Sequence, residues 1–338
     1  MIAREIKNFI KVCKMGQKEL KKYLSHWLKS NGYQPIVEDG YIYAEGTDKV
    51  CVTAHMDTVH EKPRGKVKDV LITADGNKTV ISSKQGIGGD DRCGIYMIQQ
   101  LVEKAKLKPT IVFCEDEEIG GIGSYKFCKN EDLMDTLSQN VKFFIELDRA
   151  HDNDLVYYDD DNQKFHDWCA KVTGYKEAFG SFSDISNICP ETEVSGVNIS
   201  CGYYNPHTVD EYVIFEEMVA SIKAAEKLIK AAQSDEVEQF IYEECRSLSY
   251  DKYGYGYGYG RTGYSMDKTY VVMFYEADFS ENIDYIDACS SDEAIGIWAQ
   301  DHPDLPYNYV IEVSTMSAYE DYWYEKSLKA NMGKKKQA

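Results

Sequence analysis

TIVFCEDEEIGGIGS, residues 110–124, runs from an all-apolar strand into paired glutamates and then a glycine turn. A strand without polar alternation suits a sheet covered on both faces, the setting of parallel strands in α/β folds. Two other stretches share the form: KVCVTAH (49–55) and VKFFIELD (141–148) are apolar runs that end on His55 and Asp148. Helical periodicity lies between and beyond them. Leu20, Tyr23, Leu24, Trp27 and Leu28 recur at 3.6-residue spacing, as do Ile95, Ile98, Leu101 and Val102. Phe215, Met218, Val219, Ile222 and Leu228 mark a helix over 212–230. Alternating strands and helices predict an α/β fold, a three-layer α/β/α sandwich with a central mixed, mostly parallel sheet.

Working outward, one helix is expected over 2–31, stopped at Gly32. YIYAEG (41–46) reads as a strand joined to 49–55 by a turn at Thr47 and Asp48. VLITA (70–74) and TVISS (79–83) read as a hairpin across Asp75-Gly76-Asn77. The acidic run at 152–161 reads as a surface hairpin or loop, 163–172 as a short helix and 194–202 as a strand. Tyr-Gly alternation fills 246–267, a composition that cannot bury a core, and is expected to be a linker or extended loop. TYVVMFYEAD (269–278), SSDEAIGIWAQDHP (290–303) and YNYVIEVS (307–314) then predict strand, helix and strand, a small C-terminal α/β appendage. The expected organisation is a catalytic domain at 1–235, the linker at 246–267 and a small domain at 268–330.

The net charge is −19. Phosphate neutralisation needs Lys/Arg clusters that this chain lacks, which argues against nucleic acid as a partner. The ten cysteines have no zinc-module spacing, and Cys51, Cys114 and Cys201 lie in apolar strands as expected core thiols. The first twenty residues are charged throughout and no run reaches membrane-spanning length, so a cytoplasmic protein with no membrane partner is expected.

Five stretches carry chemistry: TAHMDTVH (53–60), GIGGDDRCG (86–94), CEDEEIGGIGS (114–124), FFIELD (143–148) and GYYNPHTVDEY (202–212). Each places His, Asp or Glu at or near the end of an apolar run, and such side chains are hard N/O ligands for divalent metal. The glycines of 86–94 lack both a following Lys-Ser/Thr and a GxGxxG register, so they read as permitting close backbone approach rather than cradling phosphate. His55 and Asp57 alternate, which suits a ligand and the carboxylate that orients it. His60 falls outside that alternation and is expected to face solvent. Either Asp90 or Asp91 can bridge two cations while the other holds backbone. Glu117 and Glu118 diverge, so one can bind metal while the other moves a proton.

Taken in order, these motifs resemble those of the co-catalytic zinc peptidases, the clan that includes families M20, M28 and M42. HMDTV resembles the first-ligand motif, GGDDRCG the motif around the bridging aspartate, and EDEEIGGIGS the motif carrying the general base and next ligand. The resemblance covers about residues 1–232. It implies His55, Asp90 and Asp148 on one metal, Asp90, Glu118 and His207 on the other, Glu117 as base and Asp57 orienting His55. It also implies a cis peptide between Asp90 and Asp91. The cofactor it implies is a pair of divalent cations, zinc, with cobalt or manganese compatible with the same donors.

Asp148 and His207 are too close in sequence for an inserted dimerisation domain, so a compact, M28-like aminopeptidase is expected. Tyr203 and Tyr204 are oxyanion or pocket candidates, Arg149 a substrate-carboxylate candidate and Asp184 a candidate supporting carboxylate. The expected substrate is a small peptide or an N-acylated small molecule. A deacylase, a carboxypeptidase and a non-catalytic binding protein remain alternatives, and the sequence leaves the oligomeric state open.

Overall fold

The computed structural model describes residues 2–60, 65–178, 180, 182–244, 268–275, 281–288, 298 and 310–315. The chain forms two compact units: Met1–Ala178 with Ser183–Glu243, and Phe179–Phe182 with Glu244–Ala338.

The first unit opens with α1 (Ile2–Cys13) and α2 (Gln17–Ser30), where the sequence predicts one helix. The break falls before Gly16, whose extended backbone (φ −77°, ψ 162°) caps α2. β1 (Ile36–Glu38), β2 (Tyr41–Ala44) and β3 (Cys51–His55) follow, then β4 (Val70–Asp75) and β5 (Lys78–Ser83). The last two pair antiparallel with Asp75 opposite Lys78, the hairpin predicted from the turn residues. Next come α3 (Gly89–Glu103), β6 (Thr110–Cys114), α4 (Ile122–Cys128), α5 (Glu131–Asn140) and β7 (Phe144–Arg149). β8 (Asp154–Val156), α6 (Gln163–Thr173), β9 (Lys176–Glu177), α7 (Asp184–Thr192) and β10 (Gly196–Ser200) extend the layers. β11 (Tyr203–Tyr204), β12 (Tyr212–Ile214) and α8 (Phe215–Ala231) complete the unit.

The main sheet has the order β1-β2-β6-β3-β7-β10-β8-β9. Its centre, β6-β3-β7-β10, is parallel; outside it β1-β2, β2-β6 and β10-β8 pair antiparallel and β8-β9 parallel. This is the predicted mixed, mostly parallel sheet. The central strands are buried along their whole length, from Cys51 to His55 and from Thr110 to Cys114, which is why they read as unbroken apolar runs. Because they are parallel, their C-terminal ends share one edge, the usual place for a site in an open α/β sheet. Helix α3 lies directly on β7: a Cβ on Gly94 would stand 1.9 Å from the Leu147 carbonyl oxygen, so only glycine allows this approach. A smaller antiparallel sheet, β11-β12-β5-β4, carries the turn that bears His207.

Three local expectations need correction. β2 and β3 are not neighbours, because β6 lies between them. The acidic run at 152–161 contains β8, whose Leu155 and Val156 are buried and whose strand pairs with β10; its flanking acids hide a short core strand. Tyr212 to Ile214 form β12 before the expected helix begins.

In the second unit, β13 (Lys268–Tyr275) pairs antiparallel with both β14 (Glu281–Ala288) and β15 (Val310–Thr315). β14 has no counterpart in the sequence reading. The expected helix at 290–303 lies outside the described residues except for Trp298, which is helical and buried. The Tyr-Gly stretch at 246–267 also lies outside them. Among the described residues, no helix is long and apolar enough to cross a membrane.

Candidate active site

Three parallel strands deliver the first groups to one edge. β3 ends on His55, β6 leads into the short 3-10 turn bearing Glu117 and Glu118, and β7 carries Asp148 near its end. Asp90 enters from the start of α3, across a cis peptide to Asp91. The two aspartates point apart. Asp91 is used by the backbone, accepting from His55 N at 3.1 Å and Gly94 N at 2.8 Å. Asp90 faces both imidazoles instead, with Oδ1 2.9 Å from His55 Nε2 and Oδ2 3.2 Å from His207 Nε2.

Two triads result. In one, His55, Asp90 and Asp148 bring their ligand atoms within 4.8 Å of one another; Asp90, Glu118 and His207 form the other by the same measure. Donor atoms on one zinc ion stand roughly 3.3–3.6 Å apart in a tetrahedron. Here the Nε2–oxygen separations are 2.9 and 3.5 Å around His55, and 3.2 and 3.0 Å around His207. The set is entirely nitrogen and carboxylate oxygen, so its chemistry and spacing fit a pair of hard cations sharing Asp90.

The electrostatics point the same way. Burial, with the charge of Asp90 added, pushes the Asp148 carboxyl up to about 7. Burial also raises Glu117 and Glu118 above the ordinary carboxyl range, reinforced by neighbouring carboxylates. Asp90 goes the other way: hydrogen bonds from His207 and His55 outweigh its burial and hold it well below that range. Crowded carboxylates of this kind are what a divalent cation neutralises.

The supporting groups are specific. His55 Nδ1 lies 3.2 Å from Asp57 Oδ1, which also accepts from Glu117 N at 3.0 Å, while Asp57 Oδ2 accepts from Glu118 N at 3.1 Å. Asp57 therefore orients the imidazole and pins the glutamate turn together. Glu117 Oε2 stands 3.9 Å from His55 Nε2. A cleft of about 670 Å³ opens beside these groups, lined by Gly16, Gln17, Asp57, Asp116, Glu118 and Ile119 among others.

Several expectations change. His60 is buried, 2% exposed, with Nε2 2.8 Å from Glu211 Oε2; it does not face solvent. Tyr203 donates to Asp148 at 3.3 Å, whereas Tyr204 points to the other face of its strand and donates to Glu217 at 2.7 Å. Arg149 is taken by Asp154 Oδ2 at 3.2 Å rather than left for a substrate carboxylate. Arg92 is buried and donates to the carbonyls of Met56, Asp57 and Met15, tying the His55 loop to the α1–α2 break. At the Ser183-Asp184 element it is Ser183 that touches a ligand candidate, donating to Asp148 Oδ2 at 2.9 Å. Asp184 is fully buried, and burial pushes its carboxyl up to about 6.

Sequence reasoning missed Asn198 and Glu211, and in the Ser183-Asp184 pair it chose the aspartate rather than the serine. Asn198 clamps the Asp148 main chain, accepting from its N–H at 2.9 Å and donating to its carbonyl at 3.1 Å. Its signal was a single amide in the apolar run VSGVNIS beside the strand that ends on a ligand.

No protein-family model matches this chain, and no curated protein matches it in sequence. Solved structures do share its fold. The aminopeptidase PepT from Bacillus cereus ATCC 10987 is 14% identical, with a TM-score of 0.55 over 69% of this chain and 99% of that one. A tripeptidase from Staphylococcus aureus subsp. aureus mu50 is 14% identical, with a TM-score of 0.54 over 68% and 98%. Aminopeptidase APDkam598 from the archaeon Desulfurococcus kamchatkensis is 13% identical, with a TM-score of 0.52 over 68% and 95%. At these identities the likeness is one of fold: about two thirds of this chain shares the fold of these aminopeptidases and this tripeptidase.

Proposed function

We propose that this chain is a two-metal amide hydrolase, an aminopeptidase of the co-catalytic zinc clan acting on small peptides. The observation that carries this reading is Asp90, whose two oxygens face imidazoles from separate triads beside an otherwise unassigned Glu117. His55, Asp90 and Asp148 would hold one cation, and Asp90, Glu118 and His207 the other. Zinc is the expected metal, with cobalt or manganese compatible with the same donors. When bound, such a pair would lower the pKa of a coordinated water and polarise the scissile carbonyl.

The chain's own residues supply the remainder. Glu117, with its carboxyl raised by burial, is suited to take a proton from the attacking water and return it to the leaving amine. Asp57 holds both His55 and the backbone of Glu117, so base and ligand keep a fixed relation. Tyr203 and Ser183 hold Asp148 in place.

A carboxypeptidase would need a cation for the substrate carboxylate; Arg149, the candidate for that role, is paired with Asp154, and Arg92 is buried on backbone carbonyls. This weighs against a carboxypeptidase that would use either arginine, while Lys18 and Lys66 line the cleft. We assign the chemistry to residues 1–235 as a compact, M28-like catalytic domain, read 246–267 as a linker and treat 268–330 as a separate small domain. A cytoplasmic place belongs to the same reading, supported by the free thiols of the described cysteines.

The test is hydrolysis of aminoacyl-nitroanilides and unblocked tripeptides after loading with Zn²⁺ or Co²⁺, beside N-acetylated and C-amidated versions. Cleavage abolished by N-acetylation and retained on C-amidation is expected. Cleavage that survives N-acetylation but not C-amidation would replace the reading with a carboxypeptidase.

A further inference from the structure

Glu211 is one of three fully buried carboxylates, with Glu146 and Asp184, that the catalytic reading leaves without a task. Glu211 is 0% exposed, and a carboxylate removed from water is costly unless several donors reach it. Three do. Its Oε2 accepts from Gly88 N at 2.7 Å and lies 2.8 Å from His60 Nε2, and its Oε1 accepts from Asp90 N at 3.0 Å. The surrounding glycines make this approach possible. A Cβ on Gly86 would stand 2.4 Å from His60 Cε1, and one on Gly89 would stand 2.8 Å from Tyr203 Cβ and 3.3 Å from Glu211 Oε1.

The three donors and the acceptor come from different segments, each bearing a ligand candidate. His60 lies on the loop after β3, five residues beyond His55. Gly88 and Asp90 lie on the glycine loop. Glu211 directly precedes β12, four residues after His207 on the same hairpin. The direction of the Asp90 side chain follows from its backbone, and Glu211 holds that backbone at the Asp90 N–H itself. We propose that Glu211, fixed by His60, is the positioning residue that aims the two oxygens of Asp90 at two cations. This inference rests on the two-metal reading.

A carboxylate suits the task because both its oxygens accept; an amide would turn an NH₂ group toward a backbone N–H. Co²⁺ is the probe, read by equilibrium uptake and by its visible absorption, on the full chain. Asp160→Asn serves as a control: that carboxylate is 2% exposed and also accepts backbone N–H groups, from Asn162 and Glu243, but lies outside the site.

Glu211→Gln is expected to retain its far-UV circular dichroism and to bind the Co²⁺ pair roughly 10–100-fold more weakly, with an altered absorption band. Asp160→Asn should melt at lower temperature with unchanged Co²⁺ uptake. His60→Ala should show a smaller loss of Co²⁺ affinity, and His60→Gln, which can present an N–H at similar reach, should recover it. Folded Glu211→Gln with wild-type affinity and spectrum would overturn the proposal. Should Glu211→Gln not fold, His60→Ala with wild-type uptake and spectrum overturns it instead. Wild-type protein taking up fewer than two Co²⁺ would sink the metal reading and this inference with it.

Discussion

The two triads share Asp90 but are built differently. His55 is 1% exposed at the end of a central strand, whereas the His207 side chain is 58% exposed on a hairpin turn with φ +63°. Around the first triad each ligand candidate has its own support: Asp57 behind His55, and Ser183, Tyr203 and Asn198 around Asp148. Among the described residues, no partner orients the second ring nitrogen of His207. Outer partners fix imidazole orientation and raise ligand basicity, so the first triad should hold its cation more firmly than the second. The difference separates a preorganised half from an adaptable half at an exposed turn.

Glu117 belongs to neither triad, so its replacement should spare both. Glu117→Gln is expected to lower turnover of a loaded tripeptidase assay by roughly 10²–10⁴-fold while metal content stays at wild type. Loss of an ion in that variant would make Glu117 a ligand and merge the halves. Next in size is the contrast between the two histidines in chelator-treated protein. His55→Ala leaves buried carboxylates uncompensated and should cost about 3–5 kcal/mol in urea unfolding. His207→Ala removes a partner of Asp90 and Glu118 from an exposed turn and should cost less, about 1.5–3 kcal/mol. Equal costs would erase the distinction.

Chelator titration of loaded protein should release two ions in separate steps, about 10–100-fold apart, with the ion held by His207 leaving first. His207→Ala should lack that first step; its persistence would reverse the order. The smallest effect is expected from Tyr203→Phe. It removes one hydrogen bond to Asp148 and should cost about 0.5–1.5 kcal/mol in stability, weakening only the firmly held ion.

What the sequence disclosed follows the same division. The apolar strands were legible because burial on both faces removes polar alternation, and His55, Asp90, Glu118, Asp148 and His207 were legible because each stands where such a run or a polar turn ends. The choice between Asp90 and Asp91 was not, since it depends on which carboxylate the backbone of His55 and Gly94 consumes. His60 was misread because its burial depends on Gly86, a residue twenty-six positions later that comes against its ring. Glu211 and Ser183 gain meaning only once three loops converge. β8 and β14 were hidden by acids at the ends and exposed positions of short strands, in DNDLVYYDDD and ENIDYIDA.

The central claim is that Asp90 joins two cation sites. Anomalous scattering at the zinc edge from crystals of Zn²⁺-loaded protein tests it directly. The account predicts two peaks per chain, one among His55, Asp90 and Asp148 and the other among Asp90, Glu118 and His207, with one Asp90 oxygen on each. A single peak at saturating zinc, or two peaks that Asp90 does not bridge, would contradict it.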